Sequence, residues 1–488
     1  MRALVVRQTR AEVINGFNMA VKSSILFVVW ALLSGCVHYP VNVPVRTIDP
    51  AIGYRFQTVA QTNSDDLLLM LAFSGGGTRA AALSYGVLEE LRRTEVRPPG
   101  HERRLLDDVG LISSVSGGSF TAAYYALWGE RIFTDFESRF LKKKVQTGLL
   151  LRTLAPWNQI RLASLGFSRS DLAAEYYDRL LFNHATFGDL MAREKRPFLS
   201  VNATDIGSGA RFEFTQDEFD LIGTDLSQFS VSRAVAASSA FPVLLTPIIL
   251  KNYSTGQQQT ELEWIGAILN DPTASSRLRY VASQAGSYVT GQRRFIHLLD
   301  GGLSDNLGLR GAIDRAMARE EFTGVPNVAP KLPRRIAIIV VNAHTDSDYG
   351  WDVNKYSLGL GALLGSLSQV TVGHYSFETI ELFREVMMRI SRERADSRGE
   401  TNDGEGPETA TYIIELHFRQ LANELDRRFF NSVPTSLQLP SRTVDRLREL
   451  AARELIENRE FRRLIRDLKK EPDNRVPLAR DISQSPVN

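Results

Sequence analysis

The 488-residue sequence has little of several features that would assign it to a common class of protein. It has one cysteine, so no disulfide can form within the chain. Its formal net charge is only +2, which gives no global attraction to nucleic acid. It has no internal repeat and no Walker loop, and beyond one short N-terminal segment no apolar run approaches the ~20 residues of a membrane-spanning helix. Nucleic-acid-binding, repeat, P-loop and membrane-integral proteins are therefore disfavoured.

The bulk composition is that of a globular protein, with 43% hydrophobic and 23% charged residues. The length would allow about three domains. Large α/β enzymes of this size often form one unit.

The single cysteine, Cys36, follows a short apolar segment. Residues 25–33 are apolar throughout, Lys22 provides a positive charge before them, and Leu-Ser-Gly leads into the cysteine. These features are typical of a secretory signal. The Leu-Ser-Gly-Cys motif also resembles the lipobox of bacterial lipoproteins, in which the cysteine is acylated and becomes the first residue of the mature chain. The alternative is a buried N-terminal helix with an incidental cysteine.

The lipobox resemblance implies a location for the protein. Residues 1–18 would be an upstream extension, with Met19 as the true start. Val37 rather than aspartate follows the cysteine, which by resemblance to bacterial sorting signals favours the outer membrane. We therefore predict a protein of the bacterial cell envelope, anchored in the membrane through acylated Cys36.

Two segments have the pattern of a strand, a tight turn and a helix. Residues 67–73 form a continuous apolar run, typical of a buried parallel strand, and a glycine turn and a helical pattern follow. Residues 109–115 repeat the pattern, with Ser116 at the corner. Strands that alternate with helices imply an α/β fold with right-handed crossovers. Further strands are predicted at 198–203, 295–299, 336–342 and 412–418.

Ser116 lies in the motif Ser-x-Ser-x-Gly. A nucleophilic serine is best displayed on a sharp turn between a strand and a helix, and small residues two positions away on either side let the turn close. Ser114 and Gly118 occupy those positions. The helix that follows brings its N-terminal amides near the serine oxygen, so the amide of Gly117 is a candidate oxyanion donor. A serine-glycine turn with no catalytic role is the alternative.

Gly75, Gly76 and Gly77 form a glycine-rich turn whose amides can point at a developing oxyanion. Arg79 follows near the first turn of a helix, where a cation opposes the helix dipole. It therefore indicates either an anionic group nearby, such as a lipid head group, or a role in holding the loop. A plain tight turn and a nucleotide-binding loop are alternatives, but the Rossmann pattern would need glycine in place of Ala80.

Asp300 ends the predicted strand 295–299 and precedes two glycines. This position places its carboxylate at the edge of the sheet where α/β active sites occur, although an Asp-Gly turn residue is the alternative. Side chains alternate between the two faces of a strand, so His297 is expected on the opposite face from Asp300. Among the seven histidines, His344 is the best candidate for a triad because it follows a strand. A dyad in which Asp300 takes the proton of Ser116 directly is simpler.

Together these segments resemble the patatin-like phospholipase family over roughly residues 67–345. The glycine loop with its basic residue, the serine elbow and Asp300-Gly301-Gly302 match the family's motifs in the family's order, as do the blocks at 202–205 and 237–242. The sequence departs from the family at Ser74, where aspartate is frequent, and at Ser114, where glycine is usual. The resemblance implies a three-layer α/β sandwich with a central, mostly parallel sheet and a nucleophile elbow.

The same resemblance implies hydrolysis of a lipid acyl ester, of phospholipase A or lysophospholipase type, through an acyl-serine and without metal or cofactor. An acyltransferase with the same dyad and a non-catalytic outer-membrane scaffold are the alternatives. The predicted segments are a signal region (1–35), a tether (36–65), the catalytic domain (66–345) with a helical insertion (131–192), an extension of that domain (346–471) with a mobile loop (391–410), and a disordered tail (472–488).

Two helical regions allow more than one interpretation. In the insertion, Lys142–144 and Leu149–151 lie near Trp157, and basic residues beside exposed apolar ones suit an anionic lipid surface. A solvated helix that packs its leucines inward is the alternative. Residues 444–470 are predicted to form one long amphipathic helix that caps the domain.

Overall fold

The computed structural model describes residues 42–45, 47–56, 67–96, 103–164, 166–193, 197–242, 244–254, 263–321, 334–346, 372–389, 392 and 410–470. Cys36 and the predicted signal segment lie outside these residues, as do most of the predicted tether, the loop at 391–410 except for its residues 392 and 410, and the C-terminal tail. Among the described residues, no helix combines the length and apolar character needed to cross a membrane.

One large sheet organises the domain. The strands are β1 (Val43–Pro44), β2 (Leu67–Phe73), β3 (Val109–Val115), β4 (Phe198–Asp205), β5 (Ala210–Glu213), β6 (Thr224–Asp225), β7 (Ile248–Lys251), β8 (Phe295–Asp300), β9 (Arg335–Asn342) and β10 (Ala410–His417). The large sheet has the order β10-β9-β2-β3-β4-β8-β7, with β5 paired to β4. The short strands β1 and β6 form a separate antiparallel pair.

Five neighbouring strands of the large sheet, from β10 to β4, are parallel. Strands β5, β7 and β8 are antiparallel to their neighbours. Nearly every residue of β2, β3, β4 and β9 is buried, as expected for parallel strands covered on both faces. This burial explains the continuous apolar runs in the sequence, and the predicted α/β class with a mostly parallel central sheet is confirmed.

The helices follow and separate these strands. They are α1 (Gly77–Arg93), α2 (Gly117–Trp128), α3 (Ile132–Phe136), α4 (Val145–Leu154), α5 (Pro156–Leu162), α6 (Arg169–Tyr177), α7 (Phe187–Met191), α8 (Gln216–Leu221), α9 (Val231–Ser238), α10 (Glu263–Asn270), α11 (Ser276–Val289), α12 (Gly302–Asp305), α13 (Arg310–Glu321), α14 (372–389), α15 (Glu424–Asn431), α16 (Ser441–Glu457) and α17 (Arg459–Lys470). Helices α3 to α7 lie between residues 131 and 192.

The C-terminal helix α16 packs directly on α1. Gly86 in α1 lets α16 approach closely, because a Cβ atom at Gly86 would lie only 2.6 Å from the carbonyl oxygen of Arg448. The side chain of Arg448 forms a salt bridge with Glu89 at 2.9 Å. Helix α16 is therefore part of the same packed unit as α1.

The prediction of a single helix over 444–470 was wrong, because the helix is divided at Asn458. This residue has extended backbone angles, with φ −63° and ψ 129°. Its side-chain oxygen accepts hydrogen bonds from the amides of Glu460 and Phe461, at 2.9 and 3.2 Å. Asparagine is a favoured N-cap residue, so the sequence ends one helix and begins the next at this point.

Candidate active site

Ser116 lies at a strained corner between β3 and α2. Its backbone has φ 48° and ψ −117°, in a region that residues other than glycine seldom adopt. Such strain costs about 1–3 kcal/mol and persists only where the surroundings fix it. Here the amide of Ser116 donates a hydrogen bond to Ser238 Oγ at 2.8 Å. The corner therefore has the form of a nucleophile elbow.

The elbow explains why the two flanking small residues are not equivalent. A Cβ atom at Gly118 would lie 2.7 Å from the Cβ atom of Phe73, so this position requires glycine. Ser114 is fully buried, and its Oγ donates a hydrogen bond to the carbonyl oxygen of Ser200 at 3.2 Å. Serine at position 114 is accommodated because the neighbouring strand supplies an acceptor.

The serine and aspartate predicted from separate motifs lie together. Ser116 Oγ donates a hydrogen bond to Asp300 Oδ2 at 2.7 Å. The amide of Gly302 donates to the other carboxylate oxygen, Oδ1, at 2.8 Å. Asp300 is 5% exposed. A nearly buried carboxylate thus contacts the hydroxyl group of the strained serine.

Asp300 reaches the site by a different route from the one expected. The expectation assumed that its strand shares a carboxyl edge with parallel neighbours, but β8 is antiparallel to β4. The two strands overlap only at their ends, where Asp300 pairs with Ala203. On the other side of β4, Asn202 pairs with Val115, the residue before Ser116. The offset therefore brings the end of β8 to the level of the elbow.

Burial changes the acid–base property of Asp300. Desolvation disfavours its charged form and raises the pKa of the carboxyl group to about 6, while hydrogen bonds from Gly302 and Ser116 partly oppose this shift. A carboxylate with a raised pKa is a stronger base than an ordinary aspartate. It is still ionised at neutral pH, and so can accept the proton of a serine.

The histidines do not complete a triad in the described part of the chain. His297 is exposed, while Asp300 in the same strand is buried. His344 is largely buried, which lowers its pKa to about 4, and His417 adds to this effect. No described histidine hydrogen-bonds to Ser116 Oγ or to the carboxylate of Asp300. The geometry is that of a two-residue arrangement.

The glycine loop lies against the start of α2. Gly76 and Gly77 have positive φ angles of 135° and 60°. A Cβ atom at Gly117 would lie 2.1 Å from the carbonyl oxygen of Gly77, so the loop and the elbow are in direct contact. Within the described residues, the amides of Gly76, Gly77 and Gly117 donate to no protein acceptor.

Gly75 differs from the other loop glycines. Its amide donates a hydrogen bond to the carbonyl oxygen of Asn306 at 3.2 Å. The expectation that Gly75 contributes an oxyanion donor is therefore corrected, because this amide already has a partner. The loop is also fixed by Ser74, whose Oγ accepts a hydrogen bond from the amide of Ala343 at 2.8 Å.

Arg79 is buried beneath the loop. Its Nε donates to the carbonyl oxygen of Ala343 at 2.8 Å, and Nη2 donates to Thr435 Oγ1 at 3.1 Å. Nη1 donates to the carbonyl oxygen of Val433. Burial also lowers the pKa of Arg79 to about 10. All three guanidinium nitrogens therefore donate to protein oxygens. Of the two roles that the sequence allowed for Arg79, these contacts suit the holding of the loop.

Ser238 is the main site residue to which sequence reasoning gave no role. Besides accepting from the amide of Ser116, its Oγ donates to the carbonyl oxygen of Asn202 at 2.6 Å. Its own carbonyl oxygen accepts from the amide of Gly301, next to Asp300, at 3.1 Å. The sequence Ala-Ser-Ser-Ala-Phe-Pro at 237–242 resembles a block of the family. This resemblance was the sequence signal that could have identified Ser238. Ser238 thus connects the two halves of the dyad.

Replacement of Ser238 by alanine is expected to reduce kcat by about tenfold to a hundredfold, because the strained elbow loses the acceptor that holds the amide of Ser116. The loss of one such hydrogen bond typically costs about 1–3 kcal/mol. Steady-state hydrolysis of a soluble ester measures the effect. Ser239→Ala is the matched control, since Ser239 Oγ donates to carbonyl oxygens of its own helix and not to Ser116 or Asp300. Equal activity of the wild type and Ser238→Ala would contradict the positioning role.

Comparison with known protein families gives one match. Residues 71–313 match the family described as patatin-like phospholipase. Residues 71–313 therefore form a patatin-like domain, which accounts for almost half of the chain. No curated protein matches the sequence.

Solved structures that match the chain include human GIVD cytosolic phospholipase A2 and VipD from Legionella pneumophila. The human protein is 13% identical with a TM-score of 0.44, and the match covers 85% of this chain and 64% of that one. VipD is 13% identical with a TM-score of 0.27, and the match covers 80% of this chain and 68% of that one. The chain therefore spans less than two thirds of the human protein it matches.

Proposed function

We propose that the protein hydrolyses the acyl ester of a phospholipid or lysophospholipid through an acyl intermediate on Ser116, with Asp300 as the base. The observation that carries the proposal is the 2.7 Å hydrogen bond from Ser116 Oγ to the buried carboxylate of Asp300. A hydroxyl group on a strained elbow, in contact with a base of raised pKa, is suited to attack on an ester carbonyl.

In the first half of the reaction, Ser116 Oγ attacks the carbonyl carbon and its proton passes to the carboxylate of Asp300. The tetrahedral intermediate collapses, its bond to the alcohol breaks, and the leaving alcohol takes the proton from Asp300. In the second half, Asp300 accepts a proton from water, which attacks the acyl-serine. Collapse of this second intermediate releases the fatty acid and returns the proton to Ser116.

The oxyanion in both halves would be held by backbone amides. Gly76, Gly77 and Gly117 are the donors we assign, since their amides have no described protein acceptor and the two segments touch. Loss of one such donor typically costs about 3 kcal/mol of transition-state stabilisation. Holding the loop in place is the role we assign to Arg79, through its bonds to Ala343 and Thr435.

Product analysis tests the proposed reaction. Wild-type protein and Ser116→Ala are incubated with phosphatidylcholine or phosphatidylglycerol in detergent micelles, and fatty acid and lysolipid are quantified by mass spectrometry. Release of both products by the wild type alone supports the proposal. Acyl transfer is the alternative that the same acyl-serine would allow, and it would instead give a new ester when an alcohol or lysolipid acceptor is added.

Activity should fall as the pH is lowered through about 6. The reason is that Asp300 acts as a base only when ionised, and burial raises its pKa to about 6. Below that value kcat/KM should decrease about tenfold for each pH unit. The profile is measured with a neutral soluble ester, so that ionisation of the substrate contributes nothing. A profile that stays flat down to pH 4 would contradict this assignment of the base.

We also propose that the mature protein is lipid-anchored in the bacterial cell envelope, at the outer membrane. The support is the sequence alone: the short apolar segment, the Leu-Ser-Gly-Cys motif and Val37 after the cysteine. Metabolic labelling with a fatty-acid analogue tests it, with Cys36→Ser as the control. Equal labelling of both proteins would overturn the anchor.

A further inference from the structure

Helices α4 and α5 form a hairpin whose apolar side chains face solvent. Five large apolar side chains within eleven residues, Leu150, Leu151, Leu154, Trp157 and Ile160, are between 53% and 68% exposed. They make up five of the seventeen large apolar side chains exposed in the described part of the chain. A cluster of this kind marks an interaction surface, unlike single exposed apolar residues.

Two polar side chains of α5 close the turn between the two helices. Asn158 is buried, and its Nδ2 donates to the carbonyl oxygen of Arg152 at 2.8 Å. Gln159 Nε2 donates to the carbonyl oxygen of Thr153. These bonds satisfy carbonyl groups at the end of α4 and fix the turn, which has Pro156 at the start of α5. The hairpin is therefore held in a shape that leaves its apolar side chains outside.

Of the two interpretations that the sequence allowed, inward packing of the leucines is wrong for Leu150 and Leu151, which are 57% and 63% exposed. Only Leu149 of the Leu149–151 run packs against the core. Sequence pattern could not decide this point, because a run of three leucines covers more than one face of a helix.

The hairpin also carries charge of one sign. Residues 142–170 contain six basic residues and no acidic one. Lys143 and Lys144 are exposed at the start of α4 and form no ion pair with any described residue. The side chain of Arg152 lies over the ring of Tyr176, at 4.1 Å from its centroid. Lys142 and Arg161 pair with acidic residues outside the segment, whereas Lys143 and Lys144 leave their charge available at the edge of the apolar surface.

The base of the hairpin is joined to the catalytic loop through one short segment. Gln146 Oε1 accepts a hydrogen bond from Ser436 Oγ at 2.6 Å. The carbonyl oxygen of Ser436 in turn accepts from the amide of Thr78 at 2.8 Å, next to the glycine loop. Two hydrogen bonds therefore connect α4 with the residues that border Ser116.

We propose that the α4–α5 hairpin docks on the surface of an anionic lipid bilayer and presents the active site to it. This proposal rests on the proposed lipid hydrolysis and adds the surface from which the substrate is taken. Apolar side chains enter the boundary between head groups and acyl chains, while Lys143 and Lys144 contact anionic head groups. The two unpaired lysines favour a bilayer over a second copy of the chain, because two copies of this positively charged edge would repel each other.

A fluorescent probe on the hairpin tests the docking. Because Cys36 is the only cysteine, the full chain with Cys36→Ser accepts an environment-sensitive thiol probe at one chosen site. Probes are placed through Leu151→Cys and, as the matched control, through Leu269→Cys, an exposed leucine of α10. Vesicles of phosphatidylcholine with phosphatidylglycerol should raise and blue-shift the emission severalfold at position 151 and leave it unchanged at 269.

The outcomes separate the proposal from its rivals. Lys143→Glu with Lys144→Glu should shift the vesicle titration about tenfold or more to higher lipid. Hydrolysis of a soluble monomeric ester should not change, so a failure of docking is distinguishable from a failure of the catalytic proposal. Unchanged emission at 151 with vesicle-bound protein would overturn the docking surface. So would an emission change that follows protein concentration without lipid, which would indicate a second copy of the chain.

Discussion

Ser116→Ala is expected to lower kcat by about 10⁴–10⁶-fold, because removal of the proposed nucleophile would leave only binding and the proposed oxyanion donors. It should also abolish covalent labelling by a fluorophosphonate, which reacts with an activated serine. The fold should be retained, since the hydroxyl group makes one hydrogen bond, to Asp300. The measurement is gel fluorescence of the labelled protein, with hydrolysis of a soluble ester measured in parallel.

Ser114→Gly is the matched control for this experiment. It changes a serine in the same elbow and converts the motif to Gly-x-Ser-x-Gly, while leaving the nucleophile in place. It loses the hydrogen bond to Ser200, so a modest decrease in stability of about 1 kcal/mol is expected with labelling intact. Labelling of Ser116→Ala at the wild-type level would show that another residue is the nucleophile.

Asp300→Asn should have opposite effects on activity and on stability. Turnover should fall by about 10²–10⁴-fold, the usual contribution of a general base. The folded protein should become more stable at pH 7, by up to about 3 kcal/mol, because the raised pKa of Asp300 means that ionisation is disfavoured in the folded state. Asparagine can keep the bond from the Gly302 amide without a buried charge.

The size of the stability gain from Asp300→Asn depends on pH. An acid whose folded pKa is raised from 3.8 to about 6 favours the folded state below 3.8, and this contribution is lost as the pH rises through about 6. The gain from Asp300→Asn should therefore be present at pH 7 and absent at pH 3.5. Thermal unfolding at the two pH values measures it. An Asp300→Asn variant that is less stable than the wild type at pH 7 would contradict the desolvation of this carboxylate.

The core of the site could be predicted from sequence because each part is marked by a local pattern. Gly76, Ser116 and Asp300 each follow an apolar strand and stand in a run of small residues, and these patterns depend on a few neighbouring positions. The alternation of side chains along a strand also favoured a two-residue arrangement, because it directs His297 away from Asp300. The hydrogen bond between Ser116 and Asp300 agrees with that prediction in its geometry.

The features that were not predicted depend on residues far apart in the chain. The direction of β8 is set by its pairing with β4, about ninety residues earlier, and no local pattern encodes it. The engagement of the Gly75 amide depends on Asn306, which lies much later in the chain. Such contacts become visible only when the chain is folded.

The glycine loop is held in part by the segment 433–438, which is synthesised late. Thr78 and Arg79, beside the glycine loop, are held by Ser436 and Thr435, which lie more than 350 residues later in the sequence. The catalytic loop is therefore completed only after most of the chain has left the ribosome. A growing chain that already contains Ser116 and Asp300 still lacks these contacts, so we expect the proposed activity to stay low until the segment 433–438 has folded onto the loop.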